Sequence, residues 1–243
     1  MLEKQLKLSQ DQVRVFNHTY FVNSQVEDFI FLTTPFISQF KFVLDIGGGY
    51  GHFALLLMSM TGLNVSVLDV DNHAIDACHE KGVRAFNDNA INPQHFEDIQ
   101  IVSFNLVLHH LIGKNETQTN EIQTLAMSVW KNKVNYFFVN EYIYDSFLWD
   151  LSGKIIFFIT KNKILSMACK LISIFIPSLK ANTFGVGVRF RSHDEWRHFF
   201  YSNNFDVLSF RLGKPEKVSL ARRFLLIKSI RRDSFLLKPR TPF

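Results

Sequence analysis

The sequence predicts an α/β fold in which a doubly wound, mostly parallel seven-stranded sheet ends in an antiparallel hairpin. Short apolar runs alternate with helical patterns over residues 42–141, the order that produces parallel strands with right-handed crossovers. The first run ends in glycines, which is typical of a buried parallel strand. Later in the chain two further runs are joined by a turn at Gly213 and Pro215. This hairpin puts one antiparallel strand at or near the edge of the sheet.

Turn and capping signals set the boundaries of the elements. Gly82 is expected to close a helix that begins at Asn72, because glycine readily adopts the left-handed conformation of a C-terminal cap. Ser192 and Glu195 form a capping box that opens a helix to about Ser202. The predicted strands are 42–46, 64–69, 83–86, 100–104, 134–141, 205–210 and 224–230, and the other predicted helices are one or two within 9–40, then 54–60 and 116–130.

Composition favours one large domain with a sizeable core. The chain has 243 residues, of which 47% are apolar and 20% are charged. We expect residues 1–40 to form an N-terminal helical cap and residues 41–243 to form the main domain, with an insertion at about 142–191. The two cysteines, Cys78 and Cys169, are far apart, which excludes a disulfide framework and a cysteine-rich zinc site.

Charge is distributed unevenly along the chain. Residues 1–150 contain 9 basic and 17 acidic residues, residues 151–193 contain seven basic and no acidic ones, and residues 211–243 contain ten basic and two acidic ones. Such asymmetry is typical of contact with nucleic acid or a membrane surface, although a solvated basic face gives the same pattern. The start of the chain does not resemble a secretory signal, and the longest apolar run after residue 151 is too short to span a bilayer. We expect a cytoplasmic protein, either free or membrane-peripheral.

The loop after the first strand carries the chemistry. Glycines fill four of five positions ahead of the next helix: Gly47, Gly48, Gly49 and Gly51. They let the backbone approach a ligand closely, beside the free N–H groups of a helix start. A dinucleotide fingerprint fails because His52 stands at the third glycine position, and the lysine of a phosphate-binding Walker loop is missing. What fits is Asp-x-Gly-x-Gly-x-Gly, beginning at Asp45.

This motif resembles the first motif of class I S-adenosylmethionine-dependent methyltransferases, which implies a Rossmann-like methyltransferase fold with S-adenosylmethionine as the cofactor. A carboxylate such as Asp45 near the loop favours the cationic methionyl end of that cofactor. In the family, an acid at the position of Asp69 accepts hydrogen bonds from both ribose hydroxyls, whereas Asp71 is better explained as the N-cap of the next helix. The residues implied to bind the cofactor are Asp45, Gly47, Gly49, Gly51, Asp69, Asp88 and Asn105.

Two of these positions depend on later strands. The family position of Asp88 contacts the adenine amino group, although a solvated turn also accounts for an aspartate there. Residues 103–105 are expected to line the cofactor cleft at the end of the fourth strand, before a Leu-His-His-Leu segment similar to that of the family. The family usually opens this strand with an aspartate, and Gln100 stands there instead. The resemblance covers residues 40–141 by motif and 190–230 by topology.

The catalytic candidates are His109, His110 and Glu141, with Tyr142 as a further one near the same sheet edge. Positioning supplies most of the acceleration of methyl transfer, so a general base is needed only where the acceptor loses a proton. Adjacent residues point in different directions, so the sequence does not decide which histidine faces the cleft, although His109 is favoured. A structural role is favoured for His110 and accounts equally for Glu141. No cluster has metal-ligand spacing, so no metal is expected.

The insertion contains a candidate helix at 163–176 with one stripe of lysine and serine and a wide apolar face: Lys163, Ser166, Lys170 and Ser173 form the stripe. This pattern suits a lid buried over the acceptor, a helix lying in a membrane interface, or a dimer contact. Gly185 and Gly187 indicate a hinge or a close backbone approach. Residues 182–191, taken together with the lid, resemble the corresponding part of methyltransferases of bacterial aryl-polyene pigment clusters. This resemblance implies a lipophilic aromatic acceptor.

These observations predict methyl transfer from S-adenosylmethionine to a small hydrophobic or aromatic acceptor. The alternatives are an RNA methyltransferase and a non-catalytic S-adenosylmethionine-binding protein. RNA is disfavoured as a partner because lysines in residues 151–180 alternate with aliphatic side chains rather than with stacking aromatics. The expected partners are the small acceptor, a membrane contacted peripherally through 151–180, and a second copy in a homodimer.

Overall fold

The fold is a mixed sheet flanked by helices, seen in a computed structural model that describes residues 19–93, 98–179 and 183–240. Within these residues seven strands lie in the order β3-β2-β1-β4-β5-β7-β6. Strands β1 to β5 are parallel, and β7 runs antiparallel between β5 and β6. The predicted fold class is confirmed. The strands are β1 Phe42–Ile46, β2 Asn64–Asp69, β3 Arg84–Asn87, β4 Ile101–Asn105, β5 Tyr136–Ser146, β6 Phe205–Arg211 and β7 Ile227–Pro239.

The helices begin and end close to the predicted caps. Gly82 has φ +75° and donates its N–H to the His79 carbonyl at 2.9 Å, and the capping box of Ser192 and Glu195 is formed in both directions. Residues 9–18 of the predicted N-terminal helices lie outside the described residues. The α-helices are α1 Thr19–Thr33, α2 His52–Thr61, α3 Asn72–Glu80, α4 Glu116–Ser128, α5 Leu151–Lys161, α6 Lys163–Phe175, α7 His193–Ser202 and α8 Leu220–Arg223, and 3₁₀ turns occupy Ile37–Gln39, Leu108–His110 and Pro177–Leu179.

The two antiparallel-paired strands are longer than predicted. Strand β5 continues past Glu141 to Ser146, and β7 continues past residue 230 to Pro239. The charged residues after 230 hide this continuation, but Asp233 is fully buried and pairs with Arg231 and with His193 Nδ1 at 2.8 Å. The predicted turn at residues 213–215 is also wrong, because the connection from 212 to 226 contains α8.

Both faces of the sheet are covered by helices. Helices α1, α2 and α3 pack on one face, and α4 and α7 pack on the other. Phe29 of α1 makes edge contacts with Phe53 and Phe138, with ring centroids 5.9 and 5.1 Å apart. Helix α1 therefore shares a core with the sheet, and the division at residue 40 stays a prediction. None of the described helices is both long and apolar enough to cross a membrane.

The insertion folds into two helices joined at Asn162, whose side chain caps α6 by accepting from Ile164 N–H at 3.0 Å. Ser166 donates to the Thr160 carbonyl at 2.9 Å and accepts from Gly185 N–H at 3.0 Å. The serine side of α6 therefore faces the protein, and most of its apolar side chains are exposed. Gly187 makes a close approach, because an added Cβ would lie 2.3 Å from Ile112 Cδ1.

Candidate active site

The glycine loop joins β1 to α2 in a conformation that other residues rarely adopt. Gly47, Gly49 and Gly51 have φ values of +69°, +52° and +73°. A Cβ on Gly47 would lie 2.6 Å from Val107 Cγ2, and one on Gly51 would lie 2.9 Å from Cys78 Sγ, whereas one on Gly49 would meet nothing within 4 Å. Packing therefore favours glycine at positions 47 and 51. The open space at Gly49 belongs to a cavity.

That cavity has a volume of about 250 Å³ and lies beyond the carboxyl ends of β1, β2 and β4, where α/β sheets usually bind ligands. Of the residues predicted to bind the cofactor, Gly51 alone is not in its wall, because it is the N-cap of α2. The expectation for residues 103–105 holds only for Asn105, since Ser103 and Phe104 are buried. The predicted residues in the wall are Asp45, Gly47, Gly49, Asp69, Asp88 and Asn105.

Asp69 connects the loop to the cavity. Its Oδ2 accepts a hydrogen bond from Gly49 N–H at 2.9 Å, and its Oδ1 accepts one from Asp71 N–H at 2.9 Å. Burial raises the pKa of Asp69, and these two hydrogen bonds oppose the shift. Asp71 caps α3 through His73 N–H, as predicted. Asp88 lies next to Asp69, because its N–H donates to the Asp69 carbonyl at 3.0 Å.

Asp45 and Asn105 leave two buried acceptors without a donor. Asn105 Nδ2 donates to Asp45 Oδ1 at 2.9 Å. Asp45 Oδ2 and Asn105 Oδ1 accept no hydrogen bond from the described residues. Burial raises the pKa of Asp45 to about 7, against the hydrogen bonds from Asn105 and Ser103. A buried acceptor without a partner is costly, and a cationic ligand group that donates hydrogen bonds would satisfy both oxygens.

Helix α1 contributes three wall residues that the sequence did not indicate: Phe21, Val22 and Gln25. Gln25 Nε2 donates to Asn140 Oδ1 at 3.2 Å, which fixes it against β5. Nothing in the local pattern of α1 distinguishes these residues from core positions, because their role depends on where the helix packs.

A second cavity of about 280 Å³ adjoins the first. His110 and Tyr142 belong to the walls of both cavities. The wall of the second cavity is mostly apolar and aromatic. In it, Tyr144 stacks on Phe190 with ring centroids 4.1 Å apart and an angle of 6° between the ring planes. The insertion supplies Ile156, Ile159, Thr160, Cys169, Leu179, Thr183 and Phe184 to this wall.

The two histidines occupy the 3₁₀ turn after β4. His109 is buried, lies in the wall of the second cavity, and places Nδ1 2.5 Å from Glu141 Oε2. Glu141 also accepts Leu108 N–H at 2.7 Å. It belongs to neither cavity wall and lies inside β5 rather than at its end. Burial and the neighbouring His109 hold the pKa of His110 well below its usual value, so His110 is neutral at physiological pH.

Gln100, which replaces the usual aspartate, acts at the opposite end of the sheet. Its Oε1 accepts hydrogen bonds from Lys41 N–H and Phe42 N–H, each at 2.8 Å. It thereby joins the start of β1 to the start of β4. The departure from the family pattern leaves the cavity end of the sheet unchanged. No group of three potential metal ligands occurs within the described ranges.

Comparisons with solved structures identify the fold. The MccD protein shares 13% identity at a TM-score of 0.57, with 91% of this chain and 97% of that chain covered. A S-adenosylmethionine-dependent methyltransferase from Clostridium acetobutylicum ATCC 824 shares 11% identity at a TM-score of 0.57, with 95% and 96% covered. Magnesium protoporphyrin IX methyltransferase (ChlM) from Synechocystis PCC 6803, solved with bound SAH, shares 14% identity at a TM-score of 0.56, with 98% and 90% covered.

The sequence matches no protein-family profile, and no curated protein matches it. The structural likeness extends over nearly the whole length of all three proteins. It agrees with the strand order and with the glycine loop after β1. The chain therefore has the fold of class I S-adenosylmethionine-dependent methyltransferases.

Proposed function

We propose that this protein transfers a methyl group from S-adenosylmethionine to a small hydrophobic or aromatic acceptor. The observation that carries the proposal is the pair of adjoining cavities. One has an acidic wall and a glycine loop, the other has an aromatic wall, and His110 and Tyr142 separate them. Such a pair suits a cationic cofactor beside an apolar acceptor.

The residues of the first cavity fit the cofactor by chemistry. The partnerless oxygens of Asp45 and Asn105 would accept the methionyl ammonium, and Asp69 would accept the ribose hydroxyls with its remaining lone pairs. Asp88 would accept the adenine amino group. When bound, S-adenosylmethionine supplies a methyl group on a positively charged sulfur, which is a good leaving group.

The second cavity would bind the acceptor. The stacked rings of Tyr144 and Phe190 offer an apolar surface on which an aromatic acceptor can pack. Helices α5 and α6 close its outer wall and so would exclude water from the acceptor. A neutral His110 between the cavities adds no positive charge beside the cationic cofactor.

His109 would take the proton of an acceptor that must lose one. Glu141 faces His109 Nδ1, so in the neutral ring the hydrogen lies on Nδ1 and the lone pair on Nε2. Glu141 is held by Leu108 N–H and acts through His109, which makes it a positioning residue. His109 lies on the acceptor side and not in the first cavity.

The test combines calorimetry with transfer from radiolabelled S-adenosylmethionine to a panel of phenols, aromatic carboxylic acids and RNA. We expect S-adenosylmethionine and its demethylated product to bind, NAD and ATP not to bind, and apolar acceptors to be methylated. Failure of S-adenosylmethionine to bind would overturn the proposal. Transfer to RNA alone would replace the acceptor class, and binding without transfer to any acceptor would favour a non-catalytic role.

A further inference from the structure

The outer side of helix α6 is an exposed apolar face. Its exposed apolar side chains are Ile164, Met167, Leu171, Ile172, Ile174 and Phe175. Phe175 is 86% exposed and Ile164 is 75% exposed, whereas Ser166 and Ser173 face the protein. A contiguous apolar face of this kind on a protein surface marks an interaction site.

Two neighbouring segments extend this face with exposed aromatic residues. Trp149, before α5, is 86% exposed, and Phe224, after α8, is 88% exposed. The segments adjoin, because Phe147 N–H donates to the Leu226 carbonyl at 2.9 Å and Arg222 Nε donates to the Ser178 carbonyl at 2.7 Å, next to the end of α6. Exposed tryptophan and phenylalanine beside an apolar helix are typical of proteins that bind at a bilayer surface.

Charge selects the occupant of this face. Residues 151–193 contain no acid, and the nearest acids in the sequence are Asp150 and Asp194. Lys154, Lys163 and Lys170 are exposed in this region. The arginines of the same stretch do not contribute, because Arg189 is buried between Glu116 and Glu195 and Arg191 is buried over Trp196.

A second copy of the chain is a poor occupant. A two-fold dimer places the same patch of both copies face to face, so the lysines of α5 and α6 would oppose one another, and neither helix contains an acid to pair them. We propose instead that the face docks on an anionic lipid surface. Helix α6 then lies in the interface with its apolar side toward the acyl chains and its lysines at the headgroups.

Docking would also bring the second cavity to the membrane. Cys169 of α6 and Leu179 are in the wall of that cavity, so the helix that contacts lipid on one side encloses the cavity on the other. A lipophilic acceptor dissolved in the bilayer would then reach the cavity without crossing water. This last step rests on the proposed function, whereas docking itself does not.

The test is co-sedimentation of the full chain with vesicles of phosphatidylcholine, with and without phosphatidylglycerol. We expect binding only to the anionic vesicles, and its loss in high salt. Lys163→Glu plus Lys170→Glu should lower the partition coefficient at least about tenfold. Lys41→Glu plus Lys133→Glu makes the same charge change at the opposite end of the sheet and should leave it unchanged.

An apolar pair tests the helix face directly. Leu171→Ser plus Phe175→Ser should weaken vesicle binding at least about tenfold, whereas Met60→Ser plus Leu212→Ser, at exposed sites elsewhere, should not. Thermal unfolding followed by circular dichroism shows that the variants are folded. This control needs no cofactor and so keeps the test separate from that of the proposed function. Absence of wild-type binding, dimerisation abolished by Phe175→Ser, or tighter binding of single-stranded RNA than of vesicles would each overturn the proposal.

Discussion

The two cavities are built in opposite ways, although they share the side chains of His110 and Tyr142. The first is acidic and is held by backbone geometry: its loop depends on positive φ angles, and Asp69 is fixed by two backbone N–H groups. The second is walled mainly by packed apolar and aromatic side chains, many of them from the insertion. Hydrogen bonds fix the glycine loop and acidic side chains of the first wall, whose other residues are mostly apolar, and packing defines the second.

This difference determines what each region can tolerate. A hydrogen-bonded loop allows few substitutions, because each changes a donor, an acceptor or a φ angle. An apolar wall accepts other apolar residues of similar volume at modest cost. The first cavity therefore suits an invariant cofactor, and the second can be adapted to a particular acceptor. Substitutions in the two walls should accordingly affect different measurements.

The largest expected effect is at Gly49. Gly49→Val should abolish S-adenosylmethionine binding, because its Cβ position faces the open cavity. Gly62→Val is the matched control, since Gly62 has φ +71°, also has nothing within 4 Å of its Cβ position, and lies at the far end of α2. Each variant should lose about 1–2 kcal/mol of unfolding free energy. Calorimetry should detect cofactor binding only with Gly62→Val. Equal binding by both variants would show that the glycine loop does not bind the cofactor.

On the acceptor side, His109→Ala should lower kcat by about 10²–10⁴-fold for an acceptor that loses a proton. Cofactor affinity should not change, because His109 is not in the first cavity. His198→Ala, on the exposed side of α7, is the control and should leave kcat intact. The loss should be much smaller with an acceptor atom that carries no proton. The same loss with both kinds of acceptor would make His109 a structural residue.

In the wall of the first cavity, Asp69→Ala should weaken cofactor binding by about 2–4 kcal/mol, because two charge-assisted hydrogen bonds are lost with partial compensation by water. The variant also removes the acceptor of Gly49 N–H. Asp71→Ala removes the N-cap of α3 and a further carboxylate of the cavity wall, and should cost about 1 kcal/mol of stability with little change in affinity. Titration calorimetry measures both, and the reverse ranking would assign the ribose to Asp71.

The wall of the first cavity is also the part of the site that the sequence predicts best. Glycine at a positive φ and an aspartate at a strand end are local requirements. The loop motif therefore indicates Gly47 and Gly49 directly, whereas the role of Asp69 comes from the family resemblance. The orientation of α6 could not be predicted in this way, because a helical wheel separates two faces without saying which one is buried. The contact of Ser166 with Thr160 and Gly185 decides it, and that contact is long-range.

Positions within a strand are similarly hidden when a charged residue is buried. Glu141 looked like the end of β5, but it is fully buried within the strand against His109 and Leu108 N–H. The burial of Asp233 hides the length of β7 for the same reason. In each case tertiary pairing makes an interior position acceptable for a charged residue, and no local pattern reports it.

The expected effect that depends on pH concerns the protonation of Asp45. Its pKa is raised by burial from 3.8 to about 7. Between these values the native state holds a proton that the unfolded chain has lost, so this group makes the free energy of unfolding fall as pH rises from about 4 to about 7. Asp45→Asn removes that slope. Chemical denaturation of both proteins at about pH 5 and about pH 8 measures the difference, and parallel pH dependence would show that Asp45 is ionised throughout.

Cofactor binding should act on the same equilibrium. A bound ammonium group favours the ionised carboxylate, so binding below pH 7 should release a proton from Asp45, and affinity should rise by at most about tenfold per pH unit up to that pKa. Calorimetry in buffers of different protonation enthalpy measures the release at about pH 6 and about pH 8. The α-ammonium of the cofactor itself loses its proton at higher pH, so Asp45→Asn is the required control. Equal proton release by the wild type and by Asp45→Asn would place the cation away from Asp45 and leave its partnerless oxygen without a ligand.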